Sequence, residues 1–517
     1  MGSLLDTQTL EILAREDSSE DTVASAVKIA RNAYEYWKEV PGTERSKLLR
    51  AIRSQLLRNM DEIVDTMIEE TGKVVTEAVV SEVVVSCEVL SYYASHAASI
   101  LKTRSVYPGL LINKRGYKRY EPLGVIGVIS PWNYPLVLAL GPVATALAAG
   151  NAVILKPSEY TPKTGILIGS LIAKAGAPEG LVQVITGHGP TGEALVRSGV
   201  DKIAFTGSVR SGKAVMRAAS DSLTPVVLEL GGKDPFIVCK DANLDRAARA
   251  CVWGAFTNCG QTCMATERVY VVKEVYDEFV DKVISLTAKL HQGTAPSDDV
   301  GAVIHKGQLD IIDNHLADAI ERGAKVVCGG GHVDVGGRPS MEPTVLLEVD
   351  HSMAVMREET FGPLLPIMKV ENEDEALRLA NDSQYGLNAS IFAKDRRVID
   401  KLVAGLRSGN VCVNDVMISY GIPSLPFGGI GDSGFGRSHG PEGLREMAHL
   451  KSVAEDRFGF SREPSWLPVP SWLAKAVKIG LDLLYRPGHD RTGSAAGNTG
   501  NGTQACVYIN SKEVEIG

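Results

Sequence analysis

Gly124-Val-Ile-Gly-Val-Ile-Ser130 is an apolar, β-branched run of the kind buried on both faces of a parallel sheet. A helix-like stretch from Leu136 to Ala149 follows it, then the strand Ala152-Val-Ile-Leu155, a helix over Thr164 to Ala175, and the strand Leu181-Val-Gln-Val-Ile185. Asp201-Lys-Ile-Ala-Phe205 and Thr224-Pro-Val-Val-Leu-Glu-Leu230 complete the series. Strand, helix and strand in alternation predict a doubly wound α/β domain. Upstream, Val23, Ala26, Ile29, Ala30, Ala33 and Trp37 recur at helical spacing until Pro41-Gly42 breaks the pattern, another helix is expected from Glu44, and Val79 to Leu101 continues the helical region. Downstream, helices at Leu244 to Phe256, Val275 to Leu290 and Lys306 to Arg322 alternate with strands at Arg268 to Val272, Lys325 to Val327, Leu364 to Val370, Ala389 to Phe392 and Asn410 to Asn414. These predict a second α/β domain, with the glycine-rich Gly329 to Gly337 as a surface turn.

At 517 residues the chain exceeds a single core, so two or more domains are expected. Its 44% hydrophobic and 22% charged residues are those of an ordinary globular protein. A net charge of -8, from 54 basic and 62 acidic residues, supplies no basic face for nucleic acid. The start, Met-Gly-Ser-Leu-Leu-Asp-Thr, lacks the basic flank and apolar run of a secretory signal, and nothing reads as a membrane span, so a cytoplasmic location is expected. The eight cysteines are scattered and suit a reducing compartment. Cys259 and Cys263 have no second Cys or His cluster nearby, so no metal site is expected.

Between a strand and a helix stands Gly207-Ser-Val-Arg-Ser-Gly-Lys-Ala214, with the glycine spacing of a nucleoside-triphosphate loop. That loop needs a Ser or Thr hydroxyl for magnesium at its last position, where this chain has Ala214. Glycines at a helix N-terminus bring backbone N–H groups to a diphosphate equally well, so a dinucleotide fits. Asn258-Cys-Gly-Gln-Thr-Cys263 ends on a thiol beside a Gly-containing turn, and an ionised thiol is a strong nucleophile. Cys263 therefore reads as a covalent catalyst.

Four stretches in register, Ser130-Pro-Trp-Asn-Tyr-Pro135, Glu229-Leu-Gly-Gly-Lys-Asp-Pro235, Asn258 to Cys263 and Glu358-Glu-Thr-Phe-Gly-Pro363, resemble the NAD(P)-dependent aldehyde dehydrogenase superfamily over roughly residues 20 to 460. The resemblance implies a Rossmann-like cofactor domain (1–110 and 124–229), an α/β catalytic domain (230–445) and a small β oligomerisation arm (111–123 and 446–462). An amphipathic segment (463–485) and a disordered tail (486–517) would follow. By resemblance Cys263 is the nucleophile, Asn133 an oxyanion donor and Glu229 the base that activates the hydrolytic water. Trp132, Lys156, Glu159, Gly207, Ser208, Gly212, Glu359 and Phe361 would border NAD. Leu111 to Tyr120, with its basic side chains, reads as an exposed hairpin of the arm, implying a homodimer or homotetramer in which 451–458 also pairs across subunits.

Two departures stand out. Where many members carry a lysine, this chain has Ala139-Leu-Gly-Pro142, as in the fatty-aldehyde branch, and His449 stands where many have an acid, a candidate proton shuttle. The stretch Leu136 to Ala149 has no basic residue to pair a distant carboxylate, so an apolar aldehyde is expected. A semialdehyde dehydrogenase using Arg210 or Arg437 is the alternative enzyme, and a non-catalytic binding protein the alternative class. Transfer to coenzyme A is disfavoured by a hydrolytic base at Glu229. The segment Leu473 to Tyr485, with Leu473, Val477, Leu481 and Leu484 on one face, suggests peripheral membrane contact.

Overall fold

The computed structural model describes residues 4–485, so the expected disorder of 486–517 lies outside the described residues. Two units are formed. The larger runs to Tyr107 and from Gly116 to Val453, and the smaller takes Pro108–Arg115 and the chain from Ala454.

The predicted alternation is present in the larger unit as a six-stranded sheet. Val125–Ile129 lies at its centre, parallel to Ala152–Lys156 on one side and Lys202–Thr206 on the other. Val182–Val184 extends the first side and Val226–Glu229 the second. Both central strands of the first βαβ pair are buried throughout, which is why their sequences are continuously apolar rather than alternating. The chain reverses its direction of strand addition between Val125–Ile129 and Lys202–Thr206. A crevice outside the carboxyl ends of strands at such a switch point is where open α/β sheets take their ligands.

A second, seven-stranded sheet runs Lys325–Cys328, Thr344–Leu347, Leu364–Val370, Thr266–Val272, Asp234–Val238, Asn388–Phe392, Asn410–Val413. All its neighbours are parallel except the first pair. It has its own core, built on Phe236, Tyr270, Phe279 and Phe392, separate from the one around the first sheet.

Three local expectations are corrected. Gly329 to Gly337 is not a turn alone: His332–Val335 is a strand paired with Arg338–Met341, and only Gly336 (φ 62°) and Gly337 (φ 83°) make the left-handed turn between them. The basic hairpin does not lie within Leu111 to Tyr120. Lys114–Pro122 pairs instead with Arg104–Val106, because the register Ser105 with Tyr117 needs the whole of 107–113 as connection. Asp234–Val238 and Thr344–Leu347 are strands that sequence patterning did not show; the first begins inside a Gly-Gly-Lys-Asp-Pro run whose composition signals a loop. In the smaller unit Leu473–Tyr485 is helical as expected, with no residue buried.

Candidate active site

The turn before Cys263 is held in an unusual backbone. Asn258 (φ 51°), Cys259 (φ 56°) and Gly260 (φ 71°) are left-handed in succession. Two non-glycine residues there cost about 1–3 kcal/mol each and need support. The support is a buried polar frame. Glu77 accepts from the Thr257 hydroxyl at 3.0 Å and from the Asn258 N–H at 2.5 Å. The Asn258 amide donates to the Asn133 carbonyl (3.0 Å), and the Gln261 amide spans Asn258, Ala302 and Ile304 (2.8–3.0 Å). A Cβ on Gly260 would collide with the Gly362 carbonyl, so only glycine fits.

Asn133 follows the strand Val125–Ile129 and is 2% exposed. Its amide donates to the Gln261 carbonyl at 3.0 Å, two residues before Cys263, and its carbonyl accepts from Lys73 Nζ at 2.9 Å. Lys73 is ion-paired with Glu82, both side chains fully buried, and Glu82 also accepts the Leu136 N–H at 2.7 Å. A buried pair of this kind fixes geometry rather than adding net stability. Sequence reasoning missed Lys73, Glu77 and Glu82. The available signal was two acids in the valine-rich stretch Val75 to Val85, where the helix widens into a π-turn over Ala78–Val84, a feature common near functional sites.

Cys263 is half-buried and lines a cavity of about 210 Å³ together with Glu229, Tyr134, Trp253, Ile418 and Phe427. Burial, then the negative charges of Asp234, Glu359 and Glu229, push its thiol above the usual range. Glu229 ends the strand Val226–Glu229, and its carbonyl accepts the Gly207 N–H at 3.1 Å, tying the base to the glycine loop. The residue is partly exposed, but both carboxyl oxygens are buried and make no hydrogen bond of normal geometry. Burial raises its pKa to about 8, against the pull of the neighbouring Ser438 hydroxyl and the Arg437 charge. A carboxyl with that pKa exchanges protons near neutrality.

Glu359 lies over the glycine pair, accepting the Gly232 N–H at 3.0 Å, where a Cβ on Gly231 would overlap its carboxylate. Burial and the charge of Glu267 raise its pKa to about 8. Glu267 itself holds the segment, accepting the N–H groups of Thr360 (2.9 Å) and Phe361 (2.8 Å) and the Lys233 ammonium (2.5 Å). Trp132 meets Phe361 and His305 edge-on at 5.3 and 5.0 Å. At the switch point, Ser208 caps the helix Val209–Ser220 by accepting the Ser211 N–H. A Cβ at Gly207 would sit 2.6 Å from the Phe205 ring and one at Gly212 2.5 Å from Leu230, so a larger residue at either position would have to displace those side chains. Lys156 is buried at its strand end with Nζ on the Pro157 carbonyl (3.0 Å), and burial lowers its pKa. Glu159 is exposed, accepts from the Ser158 hydroxyl at 3.3 Å, and its charge opposes the lowering of the Lys156 pKa. A helix N-terminus, close-packed glycines and a lysine at the crevice fit a dinucleotide.

The structure thus brings the thiol, the base and the glycine loop together, with Asn133 beside the nucleophile turn though outside the cavity wall. His449 is exposed on the strand Ala448–Asp456 and is not in that wall, whereas His439, which sequence reasoning passed over, is. A sequence model described as the aldehyde dehydrogenase family matches residues 6–453. The chain belongs to the aldehyde dehydrogenase family. It is 44% identical over 461 residues to a 4,4'-diapolycopene aldehyde oxidase of Methylomonas sp, covering 88% of this chain and 86% of that protein. A Mycobacterium ulcerans protein with the provisional name NADP(+) succinate-semialdehyde dehydrogenase 2 is 38% identical over 474 residues, 90% of this chain and 91% of its own. The crystal structure of an NAD-dependent aldehyde dehydrogenase from Sinorhizobium meliloti superposes with a TM-score of 0.83 at 33% identity, covering 87% of this chain and 89% of that one. As an aldehyde dehydrogenase the chain is an oxidoreductase that acts on aldehydes with a nicotinamide dinucleotide, on the α/β fold described above.

Proposed function

We propose that this aldehyde dehydrogenase oxidises an apolar aldehyde, medium or long chain or aromatic, to the carboxylic acid with NAD. The observation that carries the reading is the cavity, where Cys263 and Glu229 stand in a wall built mostly from side chains such as Val137, Leu138, Trp253, Ile418 and Phe427. The helix Val137–Ala149 brings no basic side chain to it. A distal substrate carboxylate desolvated there without a partner would cost several kcal/mol.

In this reading Cys263 Sγ, as thiolate, attacks the aldehyde carbon. The resulting oxyanion is held by the Cys263 N–H and by the amide N–H of Asn133 that Gln261 does not engage; one such donor is worth a hundredfold in rate or more. Bound NAD supplies the hydride acceptor. Glu359, Trp132 and Phe361 hold its nicotinamide side, Gly207, Ser208 and Gly212 its diphosphate, and Lys156 and Glu159 its adenine ribose. A carboxylate at Glu159 accepts ribose hydroxyls and repels a 2'-phosphate, favouring NAD over NADP. Glu229 then takes a proton from the water that hydrolyses the thioester.

Arg437 favours a second reading, oxidation of a carboxylated semialdehyde, because it lines the cavity. Its Nη1, however, is committed to the Gly429 and Gly436 carbonyls at 3.1 and 2.6 Å. The deciding measurement is the initial rate of NADH formation on decanal and on succinic semialdehyde, with Cys263→Ser alongside. A higher rate on decanal that the substitution abolishes is expected. A preference for succinic semialdehyde would transfer the assignment to the second reading, and equal rates with Cys263→Ser would remove the thiol from the chemistry.

A further inference from the structure

The cavity wall holds a second buried polar group besides Glu229. His439 is 3% exposed, and neither ring nitrogen makes a hydrogen bond of normal geometry, although the Tyr420 backbone is near enough to the ring to oppose the fall of its pKa. Buried imidazoles ordinarily make such a bond. Its ring packs against that of Tyr420, centroids 4.3 Å apart at 47°, and both rings line the cavity. Tyr420 is close enough to Glu229 and Cys263 to feel both charges. The residue before His439, Ser438, is near enough to the Glu229 carboxyl to lower its pKa, while its hydroxyl donates to the Phe427 carbonyl at 3.4 Å.

The backbone of His439 is as unusual as its side chain. Its φ of 59° and ψ of 172° lie in a region occupied almost solely by glycine. The neighbours hold it there. Phe427 and Ser438 exchange backbone hydrogen bonds at 2.7 and 2.8 Å, the Gly440 N–H donates to the Pro423 carbonyl at 2.8 Å, and the Tyr93 hydroxyl donates to the Gly440 carbonyl at 3.3 Å. A histidine held in a glycine conformation is stored strain at a cavity wall, the pattern of a functional position. Burial also lowers its pKa to about 4, so the imidazole is neutral at working pH and can both accept and donate a hydrogen bond.

We propose that His439 is a water-positioning residue for the hydrolytic half of the reaction, its imidazole and the Glu229 carboxylate together holding the water that attacks the Cys263 thioester. The inference rests on the hydrolytic role given to Glu229 above. In the step, the water oxygen forms the new bond to the acyl carbon and one of its protons passes to the Glu229 carboxylate. The C–S bond breaks with its electron pair returning to Cys263 Sγ. The products are the carboxylic acid, the Cys263 thiolate and protonated Glu229. One ring nitrogen of His439 accepts from the water, which orients its lone pair toward the acyl carbon, and no net proton is transferred to the ring.

The test compares pre-steady-state and steady-state NADH formation on decanal for the full chain, His439→Gly, His439→Asn and Glu229→Gln. For His439→Gly the expected result is a burst as fast and as large as the parent's, followed by a steady rate about a hundredfold lower. Added imidazole should restore part of that rate, and the melting temperature should not fall, since glycine relieves the backbone. His439→Asn, which retains an amide, should lose less. A steady rate within twofold of the parent's, or a burst that falls as far as the steady rate, would overturn the proposal. If Glu229→Gln stalls while both His439 variants turn over normally, only the histidine assignment fails; if Glu229→Gln itself does not stall, the hydrolytic reading beneath it fails.

Discussion

Replacing Glu229 by Gln changes one buried acid for a neutral isostere, and the structure gives two independent consequences. The first is kinetic. With a pKa of about 8, the side chain is about one-tenth ionised at pH 7, so thioester hydrolysis should rise nearly tenfold per pH unit below 8 and level off above it. The Gln variant, lacking a base, should release one equivalent of NADH and then stall as the acyl-enzyme. The second is thermodynamic. A carboxyl whose pKa is about 8 folded and about 4.5 unfolded binds its proton more tightly in the native state. The protein therefore loses stability as pH rises from about 4.5 through 8, and the loss is complete above 8. The ceiling on that loss is about 5 kcal/mol; water entering the cavity screens the charge, which leaves about 2 kcal/mol as the working figure. The variant should then match the parent's stability at pH 4.5 and exceed it at pH 9. Denaturant unfolding at both pH values, paired with mass spectrometry of the trapped thioester, reads the two effects. An unchanged stability difference between pH 4.5 and 9 would refute the buried, unpaired state of Glu229, and unaltered steady turnover would refute its role as base.

Two further outcomes follow from named contacts. Glu359 is among the charges that hold the Cys263 thiol up, so Glu359→Gln should lower the thiol pKa and speed its alkylation by iodoacetamide at pH 8 in the absence of cofactor; a rate equal to the parent's would show that burial alone sets the thiol. The helix Leu473–Tyr485 exposes Val477, Leu481 and Leu484 at about half of their surface, together with Trp472 before it, and a chain ending at Pro464 should lose any flotation with anionic liposomes that the full chain shows. Equal behaviour of the two chains would remove peripheral membrane contact.

The fold class was legible because Val125–Ile129 and Ala152–Lys156 are buried on both faces, and strands of that kind must be continuously apolar whatever surrounds them. The glycine loop, the nucleophile turn and Glu229 were legible for a similar reason: a position that needs a left-handed φ, a thiol or a carboxyl admits few residue types, so the chemistry is written in the residue itself. The hairpin after Gly331 and the strand Asp234–Val238 were not, because glycine and proline signal turns even where a sheet edge or a neighbouring strand recruits them. Burial and pairing of charge were decided only in three dimensions. Lys73, Glu77 and Glu82 look like surface residues until Asn133 and Asn258, far along the chain, close over them. His449 and His439 are ten residues apart and alike in sequence, yet one is exposed on a strand and the other lines the cavity in a glycine conformation. The sequence determines which groups can react, since reactivity belongs to the side chain. Which of them lose water and partners, and so acquire the pKa and strain that chemistry uses, depends on what packs against them from elsewhere in the chain, and that only the tertiary structure decides.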